Sequence, residues 1–585
     1  LLEEGSSQIE DHLFSYGYLK GRVIRRPWIV NMDPKGRISR IVQIILDGAR
    51  TATTLRVPRL TTIGVCSLLI LLIALTCFHP KVKAQGEACT YYVSTSGSDN
   101  QSGTSESQAW ASFSHALGQL HPGDMLCIAD GTYNQSLVIT LSGTDSDPIT
   151  IRALNDNQVT LENADTSVSI SNSHFLTLEG ITINGGRQGV YVTGSKHITL
   201  RRVYVFGVYS FGMWFKDNND DFLITECRVE NMTGSGDYGW GIRLYDNNGP
   251  GTGKGVVEKS SIKHGWRAGV RVEKVMVDFL YNVIEDWGGE GVRDHGIYYG
   301  NPPPVNSEGA TTIIEGNIFR NNNHGFGLKI SSWVDPINMI IRNNIFEYNG
   351  VNDGNCCDGG LSIEHGNDGI QVYNNVFYEN RNHAINIAAY NYSNGKFGRN
   401  IKVKNNIFYS TNSAFILLMN DSTEGLEIDT NCYYSTSNTK FRTRINSNAY
   451  TNYSSFFDWQ NNNLAPWVDE HSIFQDPKLS NPSQGDYSLQ SDSPCIDKGT
   501  PLPEVQYDFN FVPRPQGNGV DIGAFEYLST LPEDINGDGW VDAEDMRLCV
   551  NVILEGVSNP KADVNWDGEV DSLDVQQIVN AILNR

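Results

Sequence analysis

The sequence predicts an all-β solenoid, a parallel β-helix of stacked rungs, followed by a small α-helical module built to bind a cation. Three observations carry that expectation. Short strand-like phrases recur along most of the 585 residues. Asn and Gly punctuate them at matching points. One acidic twelve-residue loop is spelled twice near the C-terminal end.

The phrases GNIF, RNNIF, YNNVF and KNNIF place Asn317, Asn344, Asn375 and Asn406 at equivalent points, and the last two steps are both 31 residues. A period in this range means stacked supersecondary units. Asn and Gly tolerate left-handed turn conformations, and Asn at equivalent turns can stack into hydrogen-bonded ladders. Short strands that pair only with the next rung make a parallel β-helix. A propeller would need four strands per blade, and these units are too short.

A second phrase, a small residue followed by apolar–variable–apolar–variable, occurs once per rung. It reads GVYVT, GMWFK, GIRLY, GVRVE, GIYYG, GLKIS, GLSIE and AINIA between Gly189 and Ala388. Alternation sends the apolar pair inward and the variable pair outward. Stacking then predicts one outward ladder of Tyr191, Trp214, Arg243, Arg271, Tyr298, Lys329, Ser362 and Asn386. A second runs Thr193, Lys216, Tyr245, Glu273, Gly300, Ser331, Glu364 and Ala388. The leading glycines are expected outward too, where a polymer could approach the backbone. Adjacent rungs lie about 4.8 Å apart, so the ladders form a stripe of aromatic rings and cations. Aromatic faces stack on sugars, and Arg forks bind carboxylates. An acidic chain that gathers Arg243, Arg271 and Lys329 on one face therefore reads as a binder of an acidic polysaccharide. Tyr191, Trp214, Arg243, Tyr298, Glu273 and Glu364 are its candidate binding residues. The competing reading is a solvated sheet face that these residues merely decorate.

CTYYVSTSGSD from Cys89, HPGDMLCIADGTY from His121 and DIGAFEY from Asp521 widen the picture. Between Cys89 and Tyr527 the chain resembles secreted right-handed β-helix proteins, a group holding pectate-lyase-like polysaccharide lyases, glycoside hydrolases and epimerases. The resemblance implies the fold and a carbohydrate substrate rather than one reaction. Two chemistries fit the groove. In β-elimination a base removes the proton α to a uronate carboxylate while positive charge stabilises the enolate-like intermediate. Lys329 is the candidate base, with Tyr298 beside it and Arg271 two rungs away. A lysine serves only in its neutral form, which Arg271 would favour and Glu364 oppose. In hydrolysis two carboxylates flank the bond, about 5 Å apart for retention and up to about 9.5 Å for inversion. Asp294 and Asp358 occupy equivalent sites two rungs apart, roughly 9.6 Å. Glu273 and Glu364 stand three rungs apart, too far to share a bond. His295, His324 and His383 near the same turn read as structural. A β-helix that binds glycan without turnover is the third class. Some lyases of the resembled group use calcium, which implies a further ion here, but their aspartates find no counterpart. Lys216-Asp-Asn-Asn-Asp-Asp221 is the acidic cluster nearby and reads as a polar turn.

The repeated loop is DINGDGWVDAED, Asp534 to Asp545, and DVNWDGEVDSLD, Asp563 to Asp574, 29 residues apart. Oxygen side chains occupy loop positions 1, 3, 5, 9 and 12: Asp534, Asn536, Asp538, Asp542 and Asp545, then Asp563, Asn565, Asp567, Asp571 and Asp574. Position 7, Trp540 or Glu569, offers a backbone carbonyl. Gly539 and Gly568 sit at the sharp turn, where Cβ is unwelcome. This spacing wraps a chain around Ca²⁺, which takes six to eight oxygens. An apolar helical pattern follows each loop, Met546 to Leu554 and Val575 to Leu583, and none precedes it. Residues 531–585 thereby resemble a type I dockerin. The resemblance implies two calcium ions and a cohesin module of a scaffold or cell-surface protein as partner. Positions 10 and 11, which help choose the cohesin in that family, are Ala543-Glu544 and Ser572-Leu573. The pairs differ, which argues against two symmetric binding modes.

Residues 1–84 are set apart from the fold as an N-terminal extension with a secretory signal. Ile63 to Cys77 forms an apolar run after Arg56 and Arg59, and Val82-Lys83-Ala84 offers a small-residue cleavage site. An uncleaved anchor is the alternative. The chain opens on Leu, so residues before Met32 read as an upstream extension or a fragment boundary. The β-helix is expected over 85–528. A net charge of −23 argues against a nucleic-acid partner. In an exported protein some cysteines pair, and Cys89–Cys127 and Cys432–Cys495 are the candidate bridges.

Overall fold

The computed structural model describes residues 88–583 apart from 248–253, 290–293, 301–310, 333–337, 351–357, 366, 389–398, 411–413, 420–423, 437–440, 445–449, 462–468, 530, 538–540, 556–558 and 566–568. Expectations placed on 1–84, on Cys356 and Cys357, and on Asp538, Gly539, Trp540, Asp567 and Gly568 lie outside the described residues.

Each rung gives one strand to each of three long sheets, and 13 strands stack in each among the described residues. The first sheet runs from Tyr91–Val93 to Glu427–Asp429, and the third from Gly131–Tyr133 to Ile473–Phe474. The second, here the groove sheet, runs from Leu137–Ile139 to Phe441–Arg444 and closes with Thr451–Tyr453. Rung-to-rung pairing is parallel, for example Val190↔Met213 and Ile242↔Val270. The closing strand alone departs from that pattern and pairs antiparallel, with Phe441 opposite Tyr453.

The predicted alternation holds. Val190, Val192, Met213, Phe215, Ile242, Leu244, Val270 and Val272 point into the solenoid and are shut off from solvent. Beside them Phe319, Phe346, Phe377, Phe408 and Tyr433 stack ring on ring, with centroids 4.7–5.1 Å apart. Equivalent aromatics on successive rungs gain this contact only in register.

The expected Asn ladder runs inside the turn between the first and third sheets. The Oδ1 of Asn344 accepts from the backbone N–H of Asn317 at 2.9 Å, and that of Asn375 accepts from Asn344 at 2.9 Å. Asn282 begins the series and Asn406 and Asn431 continue it. Sequence reading missed a second, shorter ladder at the next turn, through Asn322, Asn349 and Asn380. The residue before each inner Asn also matters. Asn343, Asn374 and Asn405 take positive φ and hold a C-terminal strap: their Nδ2 atoms donate to the carbonyls of Tyr507, Asp521 and Thr500.

That strap, residues 479–527, covers the outer face of the third sheet. Leu479, Tyr487, Leu489, Phe509 and Ile522 pack on Ile345, Val376 and Ile407. Arg514 and Glu526 of the DIGAFEY phrase and its approach form a buried ion pair at 2.5 Å. At the other end the short helix Phe113–Leu117 buries Phe113, Ala116 and Leu117, with Ser112 capping the His115 N–H. The disulfide Cys89–Cys127 is present as expected. The second pairing is not formed: Cys432 and Cys495 are buried free thiols, and Cys432 Sγ lies 3.5 Å from the Gln475 carbonyl oxygen.

Towards the C-terminal end, helices Ala543–Glu555 and Ser572–Leu583 follow the two loops. Ile535, Val541, Met546, Cys549, Val564, Val575 and Ile578 form their shared core. Ile535 and Val564 occupy the same loop position in each copy, so the duplication seen in sequence is a duplication of packing.

Asn375 donates to Ile341 and Tyr373 carbonyls and to Asn406, all out of water. Asn375→Ala should therefore destabilise the β-helix by about 2–4 kcal/mol, the cost of several orphaned buried groups. Chemical unfolding followed by circular dichroism measures this, and a loss below about 0.5 kcal/mol would remove the ladder from the account.

Candidate functional site

The first outward ladder is present in full. Tyr191 pairs with Trp214, Trp214 with Arg243, Arg243 with Arg271, Arg271 with Tyr298, Tyr298 with Lys329, Lys329 with Ser362, and Ser362 with Asn386. The second ladder follows two residues on, bringing Glu273 opposite Tyr245 and Glu364 opposite Ser331. The side chains of Arg243, Arg271 and Lys329 keep 26%, 27% and 19% of their accessible surface. Outward cations on the other two sheets, Arg320 and Arg342, keep 17% and 23%, so the stripe is closely packed among its own neighbours as those are.

The glycine column corrects the expectation placed on it. A Cβ built on Gly189, Gly241 or Gly296 would sit 2.3–2.5 Å from the carbonyl oxygen of the next glycine in the column. It would also meet Val205, Ile262 or Asn322, which belong to the third sheet and its turn. These glycines face the interior at the bend entering the groove sheet, and alternation begins only after them. They are there because two backbones and a side chain converge, not to admit a polymer.

The cationic half of the groove is a cage of rings. The Arg243 guanidinium lies 5.3–5.8 Å from the ring centres of Phe211, Trp214, Trp240 and Tyr245. Arg271 lies 5.3 Å from Trp240 and 5.0 Å from Tyr298. Glu273 ties the two arginines, at 2.8 Å from Arg271 and 3.7 Å from Arg243. Burial pulls Arg243 below its ordinary value, more than Glu273 returns. Burial also pulls on Arg271, but the hydrogen bond and charge of Glu273, with Tyr298 and Asp294 beyond, leave it raised. Both stay cationic. Three donors here, Arg243 Nε, Arg271 Nε and Trp214 Nε1, are shielded from solvent and have no hydrogen-bond partner among the described residues.

Trp240 and Arg267 belong to this cage and were not read from the sequence. Arg267 sits 4.8 Å from Trp240 and contacts the Asp294 carboxylate at 2.8 Å. A signal existed. Trp240 occupies the column just before the leading glycine, with Phe211 and Phe326, and Arg267 occupies the column that supplied Asp294 and Asp358, one rung earlier. Neither of these two carboxylates is exposed: Asp294 is buried against Arg267, and Asp358 is buried and accepts from Asn382. Burial pushes Asp294 up to about 6, against the pull of Arg267 and Arg271. His295, driven well below its ordinary value by burial and by Lys329 and Arg271, is neutral, and its Nδ1 accepts the Phe326 N–H at 2.9 Å. Burial, with Arg442 alongside, pushes His383 down to about 3.

Lys329 stands two rungs from Arg271, and its Nζ meets Glu364 at 3.0 Å. Glu364 in turn accepts from Ser362 at 2.9 Å, and Ser362 accepts from Asn386 at 3.1 Å. The opposition expected of Glu364 is thus a direct ion pair rather than a distant field. The acidic cluster after Lys216 is spent on turn contacts: Asp217 accepts from Asn247, Asn219 from Ser195, and Asp220 pairs with Lys196.

The two C-terminal loops repeat one hydrogen-bond pattern. Asp545 and Asp574 are fully buried. The Oδ1 of each accepts the N–H of loop position 3, Asn536 or Asn565, at 3.1–3.2 Å. The Oδ2 of each accepts the N–H of position 9, Asp542 or Asp571, at 2.8–2.9 Å. Asp542 and Asp571 also cap the following helices, accepting from Glu544 and Leu573. Among the described residues no three His, Cys, Asp or Glu side chains converge on one metal-sized site; Asp538 and Asp567, loop position 5, lie outside them. The donors present are all oxygens on a preformed loop, which fits a hard cation such as Ca²⁺.

Two family models match stretches of the chain, and both agree with the architecture. Residues 91–253 match the family described as Pel9A-like, right handed beta helix region, and residues 532–583 match the dockerin type I domain. The structure of pectate lyase Pel9A aligns with TM-score 0.40 and 16% identity over 75% of this chain and 96% of that one. XylC in complex with xylose aligns with TM-score 0.46 and 10% identity over 75% and 98%. An alginate lyase from Paenibacillus sp. str. FPU-7 gives TM-score 0.30 and 17% identity over 61% and 96%. In Bacillus subtilis (strain 168), the uncharacterized protein YwoF is 28% identical over 145 residues, which span 22% of this chain and 31% of that relative. From Tyr91 to Leu583, this chain is a right-handed parallel β-helix protein that carries a C-terminal type I dockerin domain.

Proposed function

We propose that this protein is a secreted polysaccharide lyase that cleaves a uronate-containing polymer by β-elimination while its dockerin holds it to a cohesin. One observation carries the reading: Arg243 Nε, Arg271 Nε and Trp214 Nε1 are shielded from solvent and without a partner among the described residues, on adjacent rungs of one sheet. Each such donor costs about 1–3 kcal/mol unless an acceptor arrives. An acceptor-rich ligand supplies it, and carboxylates spaced along a polymer suit arginines held in plane by aromatic rings.

In this reading a uronate carboxylate lies against Arg243 and Arg271, and sugar faces rest on Trp214, Tyr191 and Tyr298. Lys329 removes the proton α to a carboxylate two rungs along. The C–H electron pair becomes the new C=C bond, and the bond to the glycosidic oxygen breaks. That oxygen leaves with the bonding pair and takes up a proton from the Lys329 ammonium or from water, giving a new hydroxyl end. Lys329 acts only once substrate separates it from Glu364, which then receives no cation and is left for a sugar hydroxyl to donate to. Substrate binding and base activation are in this way one event. Calcium in the dockerin would be held by Asp534, Asn536, Asp538, Asp542 and Asp545 in the first loop and by Asp563, Asn565, Asp567, Asp571 and Asp574 in the second, with the carbonyls of Trp540 and Glu569. When bound, an ion in each loop would balance the charge of its fully buried carboxylate, Asp545 or Asp574.

Hydrolysis on Asp294 and Asp358 is the second reading, favoured by Asp294 alone, whose carboxyl at about 6 could give up a proton near neutrality.

Lys329→Ala should lower turnover about 100- to 10,000-fold with the fold intact. Assays on pectin, alginate, glycosaminoglycans and xylan should follow ultraviolet absorbance of unsaturated products beside new reducing ends. Reducing ends without absorbance, together with a silent Asp294→Asn or Asp358→Asn enzyme, would select hydrolysis. The Asp294 carboxyl should titrate near 6 by ¹³C resonance, and Arg267→Met should move it higher by removing an attractive cation. Because its folded value lies above the unfolded one, Asp294 favours the fold at low pH and loses that contribution as pH rises through about 6. A titration near the usual carboxylate range would contradict its burial. Chelation should strip hydrogen-exchange protection from residues 531–583 and abolish cohesin capture, leaving protection of the groove sheet unchanged. Equal loss in both parts would show that calcium serves the β-helix as well.

A further inference from the structure

A cleft of about 430 Å³ opens at the bend between the third sheet and the groove sheet. One wall is the loop that follows strand Arg228–Glu230, through Asn231, Thr233 and Ser235; the other is the next rung's turn, His264 to Trp266. The lining holds no uncompensated charge. His264 is the one titratable group in it, and Asp286 meets it at 3.1 Å. What remains is chemistry suited to an uncharged polyol: an indole face, two hydroxyls, an amide and open backbone.

Two further observations belong to the same corner. Tyr209 and Tyr238 flank the loop and are 44% and 39% exposed, although most large hydrophobic side chains of this protein are buried. Their rings lie 5.1 Å apart, so they present one paired aromatic surface to solvent. Trp266 is held flat because Gly289 makes room for it; a Cβ there would sit 2.4 Å from the ring. Its indole N–H is shielded and finds no partner among the described residues. The neighbouring residue, Arg267, reaches the groove cage through Trp240 and Asp294. Trp266 of the cleft is thus one residue from Arg267 of the cage, while the cleft's lining differs from the cage in charge.

We infer that this cleft is an accessory sugar site that takes a neutral ring from a side branch of the polymer lying in the groove. A sugar stacks on the exposed tyrosine pair, and its hydroxyls exchange hydrogen bonds with Asn231, Thr233 and Ser235. The inference rests on the proposed function only in assuming that the groove holds the backbone of that polymer.

Native electrophoresis through gels cast with a branched pectin bearing arabinan and galactan chains, or with unbranched polygalacturonate, tests it. The double variant Tyr209→Ala/Tyr238→Ala changes two exposed residues and should keep the parent's melting temperature. Its apparent affinity should fall about tenfold in branched pectin, a loss of about 1.4 kcal/mol, with no change in polygalacturonate. Trp266→Ala should act in the same direction. Unchanged retention in branched pectin, or equal weakening in both gels, would overturn the site. Wild-type protein retarded by branched pectin yet not by polygalacturonate would instead count against the acidic groove and leave the neutral site standing.

Discussion

The Oδ1 of Asn344 accepts from the backbone of the rung before it, and its own N–H and Nδ2 donate to Asn375 on the rung after. Every step of the solenoid depends on such cross-rung bonding, because a rung has no partner other than its two neighbours. A slip of one residue would turn the apolar pair outward and Arg243, Arg271 and Lys329 inward. The ladder, the stacked phenylalanines and the parallel pairing all fix the same register. The groove is a consequence of that register: one outward position per rung, repeated, becomes a track.

Regular positions were legible in the sequence for this reason. The apolar–variable alternation gave both outward ladders residue for residue, since period-two geometry leaves no freedom once the strand is fixed. The NN pairs announced the inner ladder. Their first Asn carried a second message, a left-handed turn holding the C-terminal strap, that no spacing could reveal because the strap lies more than 90 residues away for each of them.

The rest was hidden where rungs differ. The aligned phrase begins at its glycine, so Trp240, Arg267 and Trp266, which precede it by one, two and three residues, fall outside it although the first two stand in the cage. The leading glycines were read one step too far along the alternation; they sit on the bend itself, where the interior crowds them. Glu364 was expected to act on Lys329 at a distance, and side-chain reach brings the two into contact. Alternation tells which side a residue takes, not how far a long side chain extends.

The molecule divides its work by chemistry. Oxygen-rich loops and two short helices form one module, while the β-helix presents cations and aromatic rings in register along one sheet. A net charge of −23 makes the second feature the more telling one: in an acidic protein, half-buried arginines whose Nε donors find no partner among the described residues are kept at a cost. The most direct measurement is a crystal structure of Lys329→Ala soaked with an oligouronate. Sugar density along the groove sheet from Trp214 to Ser362, with a carboxylate on Arg243 and Arg271, is the result expected. Density on another face, or a groove still closed by Glu273 with the ligand absent, would contradict the account.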